Sequence, residues 1–245
     1  MPRALRWRNL TAHGFGSTLT GDLTLKEWRE LSLKGQIADL DLRRALALYT
    51  PKQAPWNGTL SGPFETSVTL GKTDLLVHAT LAIAPASQGD SIEGHVEATY
   101  DQAVGTVALG TSSIATSATR LEVEGTLGRS LRVRARTTRL EDLQPVLAMA
   151  QDDASGELPL HLNNGSVSVD GTVTGSLEEP VFHGQVAVVN GQVREYKFDQ
   201  FTQSWMRMSV RVTARNISAT RGRTTAAGTV ALTKRAGRER GILEF

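Results

Sequence analysis

Five histidines, the acidic pairs Asp152-Asp153 and Glu178-Glu179, a Ser-rich run and one Gly-Lys-Thr tripeptide are the first residues to weigh as parts of a reactive site. The tripeptide lies in TLGKT, Thr69 to Thr73. A phosphate-binding loop needs a further glycine five positions before Gly71, and Thr66 stands there. No helical pattern follows Thr73, so nucleotide binding is not expected. His13, His78, His95, His161 and His183 are scattered, without the H-x-H or H-E-x-x-H spacings that bring two imidazoles to one metal ion. Asp152-Asp153 and Glu178-Glu179 fall in polar turns, where solvated carboxylates are the ordinary outcome. The run GTSSIATSAT, Gly110 to Thr119, has no nucleophile elbow and no His or Lys close by in sequence to activate a hydroxyl. With no cysteine, thiol catalysis, Cys-ligated zinc and disulfides are all absent. The expectation is a non-enzymatic protein with no cofactor and no metal.

Charge points the same way. The net charge is +2 over 245 residues, and the basic residues are dispersed. The densest run, Arg129 to Arg139, alternates Arg132, Arg134 and Arg136 with Leu131, Val133 and Ala135. A strand's two-residue period puts those arginines on a solvated face, so no nucleic-acid partner is expected. The N-terminal residues lack the apolar stretch of a signal peptide, and no apolar run is long enough for a transmembrane helix.

The elements that would carry any function are strands. Alternation runs through Leu31-Leu33-Gly35-Ile37, Leu75-Val77-Ala79-Leu81-Ile83, Leu121-Val123-Gly125-Leu127, Val167-Val169-Gly171-Val173, Val210-Val212-Ala214 and Ala226-Gly228-Val230-Leu232. Of 23 glycines, 15 are followed two positions later by Val, Ile, Leu or Phe, a placement that marks bends or bulges within strands. Two segments break the period. Asp39 to Tyr49 and Arg139 to Gln151 predict short amphipathic helices, the first capped by Asp39 or Asp41, and both carry D-L-x-x-[AV]-L-A. Each follows an alternating strand and precedes a G-x-L strand, which predicts an internal repeat with approximate units 19–120, 121–193 and 194–245 in one elongated segment. Ser176 to Pro180 and Asn190-Gly191 read as turns flanking a strand over Phe182 to Val189.

Two short helices cannot cover the apolar face of so many strands, and each wet aliphatic side chain forfeits about 1.5–3 kcal/mol of burial. The sheet must therefore fold on itself or hold an apolar ligand. A closed β-sandwich or a β-helix, acting as a surface adhesion or carbohydrate-binding module, is the alternative to a groove. An outer-membrane barrel fits poorly, since 13 aromatic residues are too few for two girdles.

The stretch VSVDGTVTGSLEEPVFHGQVAVVNGQV, Val167 to Val193, resembles the recurring unit of the TamB and AsmA-like envelope proteins. Gly171, Gly175, Ser176, Leu177, Pro180, Phe182, Gly184, Asn190, Gly191 and Val193 fill that pattern, and the strand–helix–strand units at 31–60 and 121–158 and the closing stretch Met208 to Leu232 are similar to the family's repeats. The resemblance implies an all-β fold: a long curled antiparallel sheet forming an elongated, U-shaped hydrophobic groove, with two short helices. It implies phospholipid acyl chains as cargo between inner and outer membranes, or a role in outer-membrane protein assembly. It also implies a periplasmic location, an inner-membrane anchor in the full-length family and an Omp85-type barrel partner. The expected lining is Leu121, Val123, Val167, Val169, Val173, Leu177, Val210, Val212, Val230 and Leu232. Lacking an anchor, the chain reads as an interior or truncated piece of such a protein.

Overall fold

The alternation of apolar and polar side chains becomes strand almost everywhere it occurs. A computed structural model describes residues 4–14, 16–46, 56–86, 90–143, 160–175, 181–193, 195–207, 211–235 and 238–244. The chain divides into two units, Met1–Thr116 with Glu124–Thr126, and Ser117–Val123 with Leu127–Phe245.

The first unit holds β1 (Ala4–Gly14), β2 (Ser17–Lys26), β3 (Glu30–Asp41), β4 (Trp56–Thr69), β5 (Leu76–Pro85), β6 (Asp90–Ser91), β7 (Glu93–Asp101) and β8 (Thr106–Ala115). Its strands run in the order β1-β2-β3-β4-β5-β7-β8, each antiparallel to the next, while β6 pairs in parallel with the start of β4. The second unit takes in most of β9 (Thr119–Thr126), then β10 (Ser130–Thr137), β11 (Leu160–Thr174), β12 (Val181–Val193), β13 (Tyr196–Arg207), β14 (Arg211–Arg221), β15 (Thr224–Arg235) and β16 (Arg238–Glu244), again in sequence order. From β10 onward these pairs are antiparallel. The fold is all-β, and apart from the short β4–β6 pairing its described pairs are antiparallel.

The two amphipathic helices are not what forms among the described residues. The first is a single turn, α1 (Leu42–Leu46), and the second a 3-10 turn at Leu140–Leu143. Residues 47–55 and 144–159, which would complete the expected spans, lie outside the described residues. Asp41 is the cap of α1: its Oδ1 accepts from the Arg44 N–H at 3.1 Å. Asp39 does something else, adopting a φ of 59° inside β3.

That conformation recurs. Asn9, Asp39 and Asn164 have φ between 51° and 59°, and each lies where its ladder slips: between Trp7 and Leu10, Ile37 and Leu40, and Leu162 and Ser166. Asn and Asp tolerate the left-handed region best after glycine, so they mark β-bulges here. A bulge frees a backbone N–H, and a side chain on the next strand captures it. Asn9 N–H donates to Asp22 Oδ1 and Asp39 N–H to Ser61 Oγ, both at 2.9 Å. At the slip between β7 and β8, where β8 carries the extra residue, Glu97 N–H donates to buried Ser112 Oγ at 3.0 Å. Asn190, with φ 52°, corrects the turn expected at Asn190-Gly191: β12 continues to Val193, and Gly191 stays paired with Phe198. The Asn-Gly pair sits opposite the β11 bulge instead of ending the strand. The turn expected at Ser176 to Pro180 lies outside the described residues.

Packing is shallow. Among the described residues the buried hydrophobic side chains are Leu60, Ile83, Ile92, Leu140, Val167, Phe182 and Val188. Leu60, Ile83 and Ile92 form one cluster in the first unit, and Leu140, Val167 and Val188 another in the second. Phe rings cover glycines on adjacent strands: a Cβ on Gly35 would lie 2.8 Å from Phe64 Cε1, and one on Gly191 2.6 Å from Phe198 Cε2. Phe182 covers both members of the pair Gly171–Gly184.

Candidate functional site

Directly paired residues share a face of a sheet, so the registers assemble rungs that the linear sequence does not display. In the first unit Trp7, Leu23, Leu33, Thr66, Val77, Tyr100 and Val107 are successive partners across β1, β2, β3, β4, β5, β7 and β8. A second rung runs through Leu5, Leu25, Leu31 and Val68, and a third through Leu40, Leu60, Ile83, Gly94 and Ile114. Leu23, Leu33 and Val77 are half-buried, whereas Trp7 at 42% and Tyr100 at 38% are exposed. The apolar face is thus partly wet, with the exposed Trp7 and Tyr100 separated along the rung by the half-buried residues of β2 to β5.

In the second unit the expected lining residues fall as follows. Val167 is buried in its cluster, with Thr137 and Val188 as cross-strand partners. Val169 pairs with Ala135 and Val186, and Val173 with Leu131 and Phe182, so all three share one face. Leu121 and Val123 are half-buried on β9. Val212 is paired with Leu232, and Val230 with Ala214, on β14 and β15. Leu177 and Val210 lie outside the described residues. The expected lining names no residue of the first-unit rungs, although the alternation at Leu31-Leu33 and Val77-Ala79 is plain in the sequence.

The opposite face is polar. Arg132, Arg134 and Arg136 are exposed, and Asp170 lies 3.5 Å from Arg132 and 3.6 Å from Arg134. With both partners more than half exposed, these ion pairs contribute little. His78 Nδ1 lies 2.9 Å from Thr99 Oγ1, and His95 Nδ1 lies 3.0 Å from Ser113 Oγ. Ser113 belongs to the run whose nearest imidazole in sequence is distant; the β7–β8 register brings one to it. An orienting carboxylate on the imidazole would be needed to make this a nucleophile pair, and no such contact joins His95 among the described residues. Groups of three or more potential metal ligands are also absent among the described residues.

Two open hollows of about 420 Å³ and about 400 Å³ share Lys34, Gly35 and Gln36. Glu65, His78 and Thr80 line the first, and Thr11, Thr20 and Asp22 the second. None of the residues in the three rungs lines either hollow.

TLGKT forms the tip between β4 and β5, and a strand follows it where a phosphate loop would need a helix. Asp74 Oδ1 accepts from the Thr69 N–H at 2.8 Å. Hydrogen bonds from the Thr69 hydroxyl and N–H, aided by Lys72, hold the Asp74 carboxyl below its ordinary value. A depressed carboxylate stabilises the tip above the unfolded-state pKa, and that contribution is lost as pH falls through the folded value. Amide exchange at Thr69, corrected for intrinsic rates, should therefore accelerate below the usual carboxylate range, and Asp74→Asn should abolish the pH dependence. An unchanged profile in the variant would remove Asp74 from this role.

The chain matches no protein-family model, no curated protein and no solved structure.

Proposed function

We propose that the chain is a non-enzymatic segment of a TamB/AsmA-like envelope protein whose aliphatic sheet face holds phospholipid acyl chains in a groove. The observation that carries this reading is the first-unit rung from Trp7 to Val107, aliphatic at Leu23, Leu33, Val77 and Val107, aromatic at Trp7 and Tyr100, and left half-exposed. A methylene chain has no hydrogen-bonding demands, and Leu23, Leu33, Val77 and Val107 of this rung make none. Aliphatic contact of this kind needs no catalytic residue: acyl chains lie on the rungs while phosphate headgroups remain in water. Passage between two membranes, a periplasmic location and an Omp85-type partner belong to this proposal through the sequence resemblance.

Val169 is a poor place to test it, because it packs against the Leu140–Val167–Val188 cluster and an Asp there would also unfold the unit. Leu33 is half-buried and outside both clusters. Native mass spectrometry of the purified chain should detect bound phospholipid, and Leu33→Glu should lower its occupancy about tenfold while Ser32→Glu leaves it within about twofold. Absence of lipid from the folded wild-type chain, or equal occupancy in the two variants, would sink the proposal.

A further inference from the structure

In an antiparallel meander every second turn lies at the same end of the sheet. In the first unit this places the β2–β3, β4–β5 and β7–β8 tips side by side. They are joined through the backbone: Leu70 N–H donates to the Arg29 carbonyl at 2.7 Å, and Gln102 N–H to the Leu75 carbonyl at 2.9 Å. From this joined edge project Trp28, 61% exposed, Leu70, 51%, and Val104, 57%.

The β2–β3 tip is built against its own backbone preference. Arg29 N–H donates to the Lys26 carbonyl at 2.9 Å, closing a two-residue turn in which Glu27 and Trp28 have φ of 51° and 57°. Such a turn favours Asn-Gly, because a side chain in the left-handed region is strained. A bulky Trp held there, pointing into water, does nothing for the hairpin. Strain retained at a projecting residue suggests that the residue is needed outside the fold.

Acidic and basic groups both lie around the tips. Asp74 and Asp101 turn their carboxylates onto backbone N–H groups of Thr69 and Ala103. Lys26, Arg29 and Lys72 are exposed beside Trp28 and Leu70, with Glu27 and Glu30 on the same tip. Lys26 and Arg29 make no ion pair among the described residues.

We propose that this edge is a membrane-docking edge: Trp28, Leu70 and Val104 enter the interfacial zone of a phospholipid bilayer, with Lys26, Arg29 and Lys72 at headgroup level. Three separate apolar points on an edge joined by backbone hydrogen bonds suit a fluid interface, which closes around each, better than a protein surface, which would need a matching pocket for each. Trp is favoured at that depth for its amphipathic ring. The inference stands apart from acyl-chain binding on the sheet face.

The test is co-sedimentation of the full chain with phosphatidylcholine–phosphatidylglycerol vesicles. The wild-type chain should sediment, and combined Trp28→Glu, Leu70→Glu and Val104→Glu should weaken binding at least about tenfold. Thr11→Glu, Gln36→Glu and Thr80→Glu together, the same charge change on the polar face, should leave it within about twofold. Glu27→Asn with Trp28→Gly, which relieves the turn, should unfold at higher urea yet bind vesicles more weakly than wild type. A wild-type chain that stays in solution, a tip variant that binds like the control, or an undiminished relieved turn would each overturn the proposal. In vesicle-free solution the tip variants should retain bound phospholipid, so loss of one property without the other separates the two readings.

Discussion

Gly184→Ala is expected to destabilise the second unit by about 3 kcal/mol, at the upper end of what overpacking costs. The reason lies in the pair Gly171–Gly184 on β11 and β12. A Cβ on Gly184 would stand 2.5 Å from the Gly171 Cα and 2.7 Å from Phe182 Cζ. In a looser site the ring would rotate away, but the Gly171 backbone cannot move without breaking its ladder with β10. Gly14→Ala is the control, since nothing lies within 4 Å of a Cβ there; it should shift stability by less than about 0.5 kcal/mol. Urea unfolding followed by circular dichroism measures both, and equal midpoints for the two variants would show that the Gly171–Gly184 approach is not obligatory.

Asp142→Ala should cost about as much, roughly 2–3 kcal/mol, through lost hydrogen bonds instead of collision. The Asp142 side chain is 6% exposed and gathers the end of the β9–β10 hairpin. Its Oδ1 accepts from Arg139 Nε at 2.7 Å and its Oδ2 from the Thr119 hydroxyl at 2.9 Å. Thr119 Oγ1 in turn lies 2.7 Å from that of Thr137, and the Thr137 hydroxyl donates to the Arg139 carbonyl at 2.7 Å. This knot fixes the 3-10 turn that seats Leu140 against Val167 and Val188. Removing the carboxylate leaves donors of Arg139 and Thr119 to find new partners. Asp142→Asn, which keeps one acceptor oxygen, should recover about half of the loss; no recovery would mean that charge, not hydrogen bonding, holds the turn.

What the sequence disclosed was periodicity. Val133 and Val169 turned inward and Arg134 and Ser168 outward because the pleat allows nothing else. Asp41 was legible as a cap because a short acceptor before an apolar stripe has one efficient use. What stayed hidden depends on register. Nothing near Asn190-Gly191 in sequence says that β11 carries extra residues opposite it, so the pair looked like a turn although strand pairing continues through it. The helical stripes at 39–49 and 139–151 were visible, but a bulge at Asp39 and the Asp142 knot set how the chain enters each turn. The rung from Trp7 to Val107 needs six registers at once, which no single periodicity contains.

The order of strands, which along the main path follows the sequence with only β6 set aside, has a mechanical consequence. Within each unit, tension applied to a terminal strand loads the ladder one hydrogen-bonded pair at a time. β1 bears only on β2 among the described strands, so it would peel before β2 feels the load. Such a sheet yields to pulling by successive small releases, as a zipper does, and reforms by the same local steps, since no strand of the main path must find a partner from far along the chain.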